Sequence, residues 1–421
     1  MREAAAGLTG MEEPAAEWRE RYSRQIRFAP IGESGQRRLG EAAVLIVGAG
    51  ALGASLAQHM VRAGVGLVRL ADRDYVEPSN LQRQVLFDEE DARLALPKAV
   101  AAARRLRGIN SAVTVEEHVA DVGRREASEL TRGVDLVLDG TDNAAARLAL
   151  NDACYSRGIP LLYGGVTGAQ GMSAAFIPGE TACLRCVIGG EDGGDGETCD
   201  TAGVISPAVE LVAALQAGEA LKWLAGRREA MRGTWLSAAL WPFAVREMRL
   251  PAPQPDCPVC GGERPASVER DAPSGGDREP ADRRDRVTAS GGRAVGGVDR
   301  EAGSVDREAD SSGRAAGSGD TRQSFAAAAL CGRDTVQVTT GRPLELDAFE
   351  RRWLSAGVAV DRNPYLLRAS LDGGVRLVLF PDGRVLVQGT SDIAEAVRLC
   401  GEYVNDYETE REAGIRHGVG T

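Results

Sequence analysis

The stretch AAVLIVGAGALGASLAQHMVRAGV, residues 42–65, determines the predicted fold of this 421-residue chain. It begins with an apolar run typical of a buried strand, continues with a glycine turn and ends in an amphipathic helical pattern. The glycines of the turn, Gly48, Gly50 and Gly53, have the spacing G-x-G-x-x-G. Such glycines let the backbone approach a nucleotide, and the N-terminus of the next helix presents N–H groups to anions. The stretch therefore predicts a nucleotide-binding strand–turn–helix unit.

Strand and helix patterns alternate after this unit. Residues 66–74, 134–143 and 159–166 are apolar runs typical of buried strands, and residues 96–110 have a helical pattern. A polar helical arm, residues 18–40, precedes the unit. Strands that alternate with helices predict an α/β fold with a doubly wound, Rossmann-like and mostly parallel sheet.

The composition divides the chain into four parts. Residues 1–17 are predicted to be a flexible N-terminus, and residues 18–262 form the nucleotide-binding domain. Residues 263–322 contain no Leu, Ile, Met, Phe, Tyr or Trp, so they cannot bury a core and are predicted to be a disordered linker. Apolar alternation then returns, and residues 323–421 are predicted to form a small α+β domain.

The charge and the hydrophobic pattern exclude several classes of protein. The chain has 50 basic and 61 acidic residues, and a net charge of −11 argues against a nucleic-acid surface. No apolar run is long enough to predict a membrane span, and the N-terminus lacks a signal-peptide pattern, so we expect a cytoplasmic protein. Its three histidines are far apart in sequence, which gives little support to a histidine-centred catalytic site.

The segment after the second strand separates the nucleotides that the glycine turn could bind. Asp72 ends that strand, where an acid can bind ribose hydroxyls, and this fits NAD, FAD or ATP equally. A triphosphate and an incoming carboxylate repel each other, so an enzyme that joins them needs cations. DRDYVEPSNLQRQVLF and the helix that follows supply such cations among polar side chains, namely Asp74, Asn80, Arg83, Gln84 and Lys98. These residues favour ATP.

Polar side chains also follow the strand at residues 134–139. Asp142 and Asn143 lie in LDGTDN, at the carboxyl edge of the predicted sheet. A carboxylate there can hold Mg²⁺ on the phosphates of ATP. The alternative is an acidic loop with an ordinary helix cap.

Cysteine spacing gives the strongest local signal. Two C-x-x-C pairs supply four thiolates, which suit a tetrahedral structural zinc site that clips distant segments together: Cys183, Cys186, Cys257 and Cys260. Cys199 belongs to neither pair and follows the glycine- and acid-rich run GGEDGGDGE.

Eight motifs together resemble the MoeB/ThiF/HesA family, the bacterial and archaeal relatives of ubiquitin-activating enzymes. They are RYSRQI, GAGALG, DRDYVEPSNLQRQ, LPKA, DGTDN, CLRC, TCDTAGV and CPVC, in the order of that family, and they cover roughly residues 18–262. The resemblance implies an enzyme that binds ATP and Mg²⁺ and adenylates the C-terminal Gly-Gly carboxylate of a small ubiquitin-like sulfur carrier or modifier. Pyrophosphate would be released.

The resemblance also implies roles for individual residues. Arg24 would be donated across the interface of a homodimer. Cys199 matches the reactive cysteine of the family and would attack the acyl-adenylate or join the carrier by an acyl-disulfide; the alternative is a loop thiol without a covalent role. The nucleotide would be held by Gly48, Gly50 and Gly53, the ribose by Asp72, the phosphates by Asn80, Arg83 and Lys98, and Mg²⁺ by Asp142.

Three alternatives and the C-terminal domain complete the expectations. The chain would otherwise be an NAD- or FAD-dependent oxidoreductase, a non-catalytic scaffold for ubiquitin-like proteins, or a relative that adenylates a carboxylate on tRNA. The C-terminal domain is similar to a segment appended to some family members and lacks a rhodanese-like loop, so sulfur would come from another protein. The long linker leaves open whether this domain contacts the core. The carrier and its pathway (thiamin, molybdopterin, tRNA thiolation or protein conjugation) are also left open.

Overall fold

The computed structural model describes residues 16–189, 203–261, 325–330 and 334–405, with the side chain of residue 405 excepted. Most of the predicted flexible N-terminus, the predicted linker and Cys199 lie outside these residues. The described N-terminal and C-terminal parts belong to one compact unit.

The N-terminal part is built on one sheet of eight strands. In chain order they are β1 (Ala43–Val47), β2 (Leu67–Asp72), β3 (Thr114–Val119), β4 (Leu136–Asp139), β5 (Leu161–Thr167), β6 (Gln170–Phe176), β7 (Thr234–Leu240) and β8 (Phe243–Arg249). Their order in the sheet is β3-β2-β1-β4-β5-β6-β7-β8. The pairs from β3 to β5 are parallel and those from β5 to β8 are antiparallel. The predicted mostly parallel sheet is confirmed.

Helices cover both faces of this sheet. They are α1 (Ala16–Arg21), α2 (Ser23–Arg27), α3 (Gly32–Glu41), α4 (Ala51–Ala63), α5 (Glu89–Arg93), α6 (Lys98–Ile109), α7 (Arg124–Leu130), α8 (Ala144–Arg157), α9 (Leu184–Ile188) and α10 (Ser206–Leu224). Alternate residues of β1 enter opposite cores, because side chains of a strand alternate between its faces. Val44 and Ile46 pack in the core with α4, α6 and α10, whereas Leu45 and Val47 pack in the core with α7 and α8. This arrangement is the predicted doubly wound fold.

The strand order positions the site. β1 lies between β2 and β4, and the chain leaves β1 towards β2 on one side and returns to β4 on the other. Ligands of such sheets bind in the crevice outside the carboxyl ends of the strands where the order reverses. That crevice is formed by the residues after β1, β2 and β4.

The C-terminal domain has its own sheet of six strands. They are β9 (Ala326–Ala329), β10 (Thr335–Thr339), β11 (Ala359–Arg362), β12 (Leu367–Ser370), β13 (Arg376–Leu379) and β14 (Arg384–Gln388). The order is β11-β12-β13-β14-β10-β9, with every neighbouring pair antiparallel. Helices α11 (Leu346–Ser355) and α12 (Ile393–Cys400) pack on one face and close an apolar core with Val336, Leu377 and Val387. The predicted small α+β domain is confirmed.

The polar helical arm predicted over residues 18–40 consists of three helices, α1, α2 and α3. Within the described ranges, no helix combines the length and the apolar character needed to span a membrane.

Candidate nucleotide site and metal centre

Two glycines of the turn are required by the packing of the chain itself. Gly48 has a φ of +84°, and a Cβ on it would lie 2.5 Å from the carbonyl oxygen of Gly140. A Cβ on Gly53 would overlap the carbonyl oxygen of Gly48. The turn after β1 therefore packs directly against α4 and against the residue after β4, which leaves no room for a side chain at either position.

Gly50 differs from these two, because packing within the chain does not require it to be glycine. A Cβ on Gly50 would meet only Nε2 of Gln84, at an ordinary contact distance of 3.7 Å. Gln84 is 3% exposed, and its Oε1 has no hydrogen-bond donor among the described residues. Open backbone next to a buried amide oxygen without a partner fits a ligand seated against the turn.

Asp72, at the end of β2, ties the turn to the segment that follows. Its Oδ2 accepts the backbone N–H of Ala49 at 2.7 Å, and its Oδ1 accepts that of Asp74 at 2.7 Å. Burial raises the pKa of this carboxyl, and the nearby charge of Lys98 opposes the increase. Asp72, the residue predicted to bind the ribose, therefore also fixes the backbone on both sides of the crevice.

Lys98 and Asp74 form a buried ion pair beside Asp72. The Nζ of Lys98 lies 3.1 Å from Oδ2 of Asp74, and the two side chains are 4% and 20% exposed. The backbone N–H of Lys98, the first residue of α6, donates to the carbonyl of Asp74 at 2.8 Å. The structure thus brings three predicted site residues together at the carboxyl edge of β2.

Asn80 and Arg83 have local partners. Asn80 is 1% exposed, and its Oδ1 accepts the N–H of Glu77 at 3.1 Å in the short 3-10 helix Pro78–Asn80. Arg83 donates to the carbonyl of Ser79 at 2.9 Å. These contacts order the segment that also carries Gln84.

Asp142 and Asn143 follow β4 and have different positions. Asn143 is the N-cap of α8, and its Oδ1 accepts the N–H of Ala146 at 2.7 Å, which is the helix-cap alternative considered from the sequence. Asp142 is exposed. The charge of Asp142 acts on Arg73. Burial would lower the pKa of Arg73, but the charges of Asp74, Asp121 and Asp142 raise it.

Arg73 and Arg147 are candidate site residues that the sequence analysis did not identify. Arg73 lies between two acids in DRD, and its Nη1 contacts Asp121 Oδ1 at 3.1 Å. Nε of Arg147 lies 3.1 Å from Oδ2 of the fully buried Asp139. The Asp139 pKa is raised by burial and held back by Arg147. The available sequence signals were an arginine one residue after Asp72 and a second arginine located one helical turn after Asn143.

Arg24 is exposed on α2, far from the glycine turn of its own chain. Its neighbour Gln25 donates to the carbonyl of Ala63 at the C-terminal end of α4, whereas the turn precedes the N-terminal end. A helix of 13 residues is about 20 Å long. The structure therefore does not bring Arg24 together with the other predicted nucleotide residues.

The four paired cysteines are brought together as predicted. Cys183 Sγ lies 3.8 Å from Cys186 Sγ and 3.7 Å from Cys257 Sγ, and Cys186 Sγ lies 3.6 Å from Cys260 Sγ. Four sulfurs about 2.3 Å from a tetrahedral zinc ion would be about 3.8 Å apart. The donor set and its spacing therefore fit zinc.

Helix α8 orients the first cysteine pair. Asn151 Oδ1 accepts the N–H of Leu184 at 2.8 Å, and Asp152 binds Arg185 through both of its oxygens, at 2.8 and 2.7 Å. Tyr155 donates to the carbonyl of Ala182 at 2.9 Å. The cysteine cluster is thus attached to α8, whose N-cap is Asn143 of the candidate nucleotide site.

Cys199 lies outside the described residues, but the chain after it is anchored. The N–H of Gly168, between β5 and β6, donates to the carbonyl of Gly203 at 2.8 Å, and the N–H of Ile205 donates to the carbonyl of Gly168 at 3.1 Å. The described chain therefore resumes at an anchored point beside β5.

Comparison with known proteins gives the family. Residues 22–259 match the ThiF family. The sulfur carrier protein ThiS adenylyltransferase of Bacillus subtilis is 40% identical over 387 residues, 91% of this chain and 99% of that protein. The SAMP-activating enzyme E1 of Haloferax volcanii is 38% identical over 253 residues, 59% of this chain and 92% of that protein.

Solved structures share the fold. The crystal structure of E. coli MccB with AMPCPP and MccA matches 59% of this chain and 76% of its own, with a TM-score of 0.51 and 22% identity. The two curated relatives are an adenylyltransferase and an E1-type activating enzyme, so the predicted enzyme class is confirmed. With a family match over residues 22–259 and a relative that is 40% identical along almost its whole length, the chain belongs to the ThiF family.

Proposed function

We propose that this chain uses ATP to adenylate the C-terminal carboxylate of a small ubiquitin-like sulfur carrier that ends in Gly-Gly. A carboxylate oxygen attacks the α-phosphorus of ATP, the bond from that phosphorus to the bridging oxygen breaks, and pyrophosphate leaves. The carrier as substrate is supported by the identity with the B. subtilis ThiS adenylyltransferase, which includes the C-terminal domain of this chain.

The buried pair of Lys98 and Asp74 beside the glycine turn is the observation that carries the proposal. A carboxylate is nucleophilic at neutral pH, so adenylation needs positioning and charge stabilisation rather than a general base. An ammonium group that is 4% exposed and fixed by a carboxylate acts in a site of low dielectric, where its charge has a large effect. The site therefore offers the fixed positive charge that adenylation requires.

The remaining nucleotide contacts follow the order of the crevice. Gly48, Gly50 and Gly53 line the nucleotide, Asp72 binds the ribose, and Asn80, Arg83 and Lys98 act on the phosphates. Gln84 and Asn143 complete the lining, with the unpartnered Oε1 of Gln84 available to a donor of the nucleotide. The exposed carboxylate of Asp142 is an oxygen ligand of the kind that Mg²⁺ takes when phosphates supply the others. Bound there, Mg²⁺ would neutralise phosphate charge.

Arg24 acts in the site of a second copy, so that the active form is a homodimer. Its place near the C-terminal end of α4 separates it from the glycine turn of its own chain. Zinc held by the four clustered cysteines has a structural role, because four protein ligands leave no open position for chemistry.

Cys199 acts after adenylation. Its thiol attacks the acyl carbon of the adenylate, so that a thioester forms, AMP leaves and the thiol proton goes to solvent. Alternatively, the thiol takes the outer sulfur of a persulfide on a separate donor protein, which is left as a thiol. The outer sulfur of the resulting Cys199 persulfide then attacks the acyl carbon, AMP leaves and an acyl-disulfide joins Cys199 to the carrier. Cys199→Ser separates the alternatives: pyrophosphate exchange persists and sulfur transfer is lost if the role is covalent, whereas both persist if the thiol is a bystander.

Mass spectrometry of the carrier tests the proposed function. Small Gly-Gly-ended proteins captured from the source cells by the full-length chain are incubated with it, ATP and Mg²⁺, and their intact masses are measured. The expected product is a carrier that gains one adenylyl group at its C-terminus. A matched carrier without its last glycine should gain none, and equal labelling of the two would contradict the proposal.

A further inference from the structure

The buried Asp74–Lys98 pair lies on a short antiparallel ladder of two chain segments. The N–H of Lys98 donates to the carbonyl of Asp74, and the N–H of Val76 donates to the carbonyl of Leu96, each at 2.8 Å. Tyr75 and Pro97 form the bridge between the two segments. We call this feature the Asp74–Lys98 ladder, and it comprises residues 73–77 and 94–98.

The C-terminal domain covers the outer side of this ladder with apolar side chains. Tyr75 and Ala95, one from each segment, are 4% and 0% exposed. They form one buried cluster with residues of the C-terminal domain, namely Leu366, Val378, Phe380 and Leu386. Side chains of the C-terminal domain therefore shield one residue of each segment of the ladder from water.

Hydrogen bonds from β14 hold the first segment. Nη1 of Arg384 donates to the carbonyl of Arg73 at 3.0 Å, and Nε2 of Gln388 donates to the hydroxyl of Tyr75 at 2.8 Å and to Glu77 at 3.2 Å. Arg384 is 5% exposed and is oriented by Asp382, 2.7 Å from its Nε. These contacts lie on both sides of Asp74.

Asn363 holds the second segment. Its Nδ2 donates to the carbonyls of Leu94 and Ala95 at 2.7 and 3.0 Å, while its Oδ1 accepts the N–H groups of Tyr365 and Leu366 at 2.8 and 2.9 Å. The N–H groups of Tyr365 and Leu366 thus fix the Asn363 side-chain amide that donates to the ladder.

Ala95 has an unfavourable backbone conformation at this contact. Its φ of +45° makes it the one non-glycine residue with positive φ among the described residues. Such a conformation costs energy and persists only where surrounding contacts determine it. The amide of Asn363 and the apolar cover from Leu366 are contacts of that kind, and Ala95 lies three residues before Lys98.

The ThiF fold itself does not need this cover. The Haloferax volcanii relative is matched over 92% of its length by 59% of this chain, so the nucleotide-binding part accounts for almost all of it. In this chain, however, a tyrosine and a strained alanine of the ladder are buried by the added domain. The ladder is therefore fitted to the C-terminal domain.

We propose that the C-terminal domain is a positioning element of the nucleotide site, in which Asn363, Arg384 and Gln388 hold the Asp74–Lys98 ladder in the conformation that binds ATP. None of these three residues touches the reactants. They act through the backbone of the ladder, and the effect on ATP binding rests on the proposed function.

Asn363→Asp in the full-length chain tests the inference. The variant keeps the Oδ1 acceptor of the turn and loses the donor to Leu94 and Ala95, while placing a carboxylate against two carbonyls. Two quantities are measured: backbone amide exchange of Val76 and Lys98, and the Kd for Mg²⁺–ATP by calorimetry. We expect faster exchange at both amides and a Kd raised roughly tenfold, as for the loss of a buried donor.

Asp392→Ala is the matched control. Asp392 caps α12 within the C-terminal domain through the N–H of Ala394, so its loss weakens the domain without removing a contact to the ladder. We expect the wild-type exchange and Kd for this variant. An effect of Asp392→Ala equal to that of Asn363→Asp would overturn the role of Asn363, because domain stability alone would then explain both.

The remaining outcomes are also decisive. Unchanged exchange or an unchanged Kd in Asn363→Asp overturns the inference. If the wild-type chain does not bind Mg²⁺–ATP, the proposed function fails instead, and amide exchange still shows whether Asn363 holds the ladder.

Discussion

Lys98 Nζ lies 3.1 Å from Asp74 Oδ2, and burial leaves only 4% of the lysine side chain exposed. The same two residues are joined through their backbones, since the N–H of Lys98 donates to the carbonyl of Asp74. An ammonium group is rarely buried in this way unless its charge is paired. The pair therefore fixes a positive charge next to the glycine turn with little freedom to reorient.

Lys98→Met is expected to abolish most of the adenylation activity. Loss of a fixed charge that stabilises a transition state reduces kcat by about 10²- to 10³-fold, and pyrophosphate exchange measures the effect. The other lysine of the chain, Lys222, pairs with Glu219 on α10 and serves as the control. Lys222→Met should retain nearly all activity, and an equal loss in both variants would argue against a specific role of Lys98.

The stability of Lys98→Met should depend on pH. Burial raises the pKa of Asp72 and Lys98 opposes this, so removing the lysine raises that pKa further. A carboxyl whose folded pKa exceeds its unfolded pKa stabilises the fold as the pH falls through the interval between them and destabilises it as the pH rises. The free energy of unfolding in urea should therefore approach that of wild type at acid pH and fall further below it as the pH rises. The double variant Lys98→Met/Asp72→Asn should lose this pH dependence. If the pH dependence persists in the double variant, a group other than Asp72 causes it.

Two glycine variants separate folding from nucleotide binding. Gly53→Ala places a methyl group against the carbonyl of Gly48 and should lower the free energy of unfolding by about 3 kcal/mol. Gly50→Ala meets only Gln84 Nε2 at 3.7 Å, so its thermal midpoint should equal that of wild type. Its Kd for Mg²⁺–ATP should nevertheless rise, because the methyl group occupies the space of the ligand. Wild-type ATP binding by Gly50→Ala would exclude close approach of the nucleotide at this residue.

Cys260→Ser should remove the metal from the cysteine cluster. One ligand of four is lost, and the free energy of unfolding should fall by at least about 4 kcal/mol, as for the loss of a structural metal. Zinc content by elemental analysis and urea denaturation measure the two effects. Cys400→Ala, at a buried cysteine of the C-terminal domain, should keep one zinc per chain. A wild-type chain purified without zinc would contradict the zinc assignment.

The core of the fold could be predicted from the sequence because its signals are local. The strand–turn–helix at residues 42–65 is a continuous pattern whose glycines have a steric reason to be there. The two cysteine pairs meet as predicted, although α10, β7 and β8 lie between Cys186 and Cys257 along the chain. Because four paired thiols suit one tetrahedral metal site, the sequence predicted that the two pairs meet without predicting the path of the chain between them.

The contact between the core and the C-terminal domain could not be predicted. Val385 and Val387 of β14 face the core of their own domain, and the alternate residues Arg384, Leu386 and Gln388 read as a solvated face. The structure buries that second face on Tyr75 and Arg73. The sequence pattern of such a strand is the same whether its long polar side chains donate hydrogen bonds to water or to a backbone carbonyl.

Pyrophosphate exchange by the full-length chain tests the central claim most directly. Radiolabelled pyrophosphate, ATP and Mg²⁺ are incubated with the protein and a Gly-Gly-ended sulfur carrier, and label in ATP is counted. We expect exchange that requires the carrier, is lost when its last glycine is deleted and is lost in Lys98→Met. Exchange that is independent of the carrier, or hydride transfer to NAD or FAD without any exchange, would contradict it.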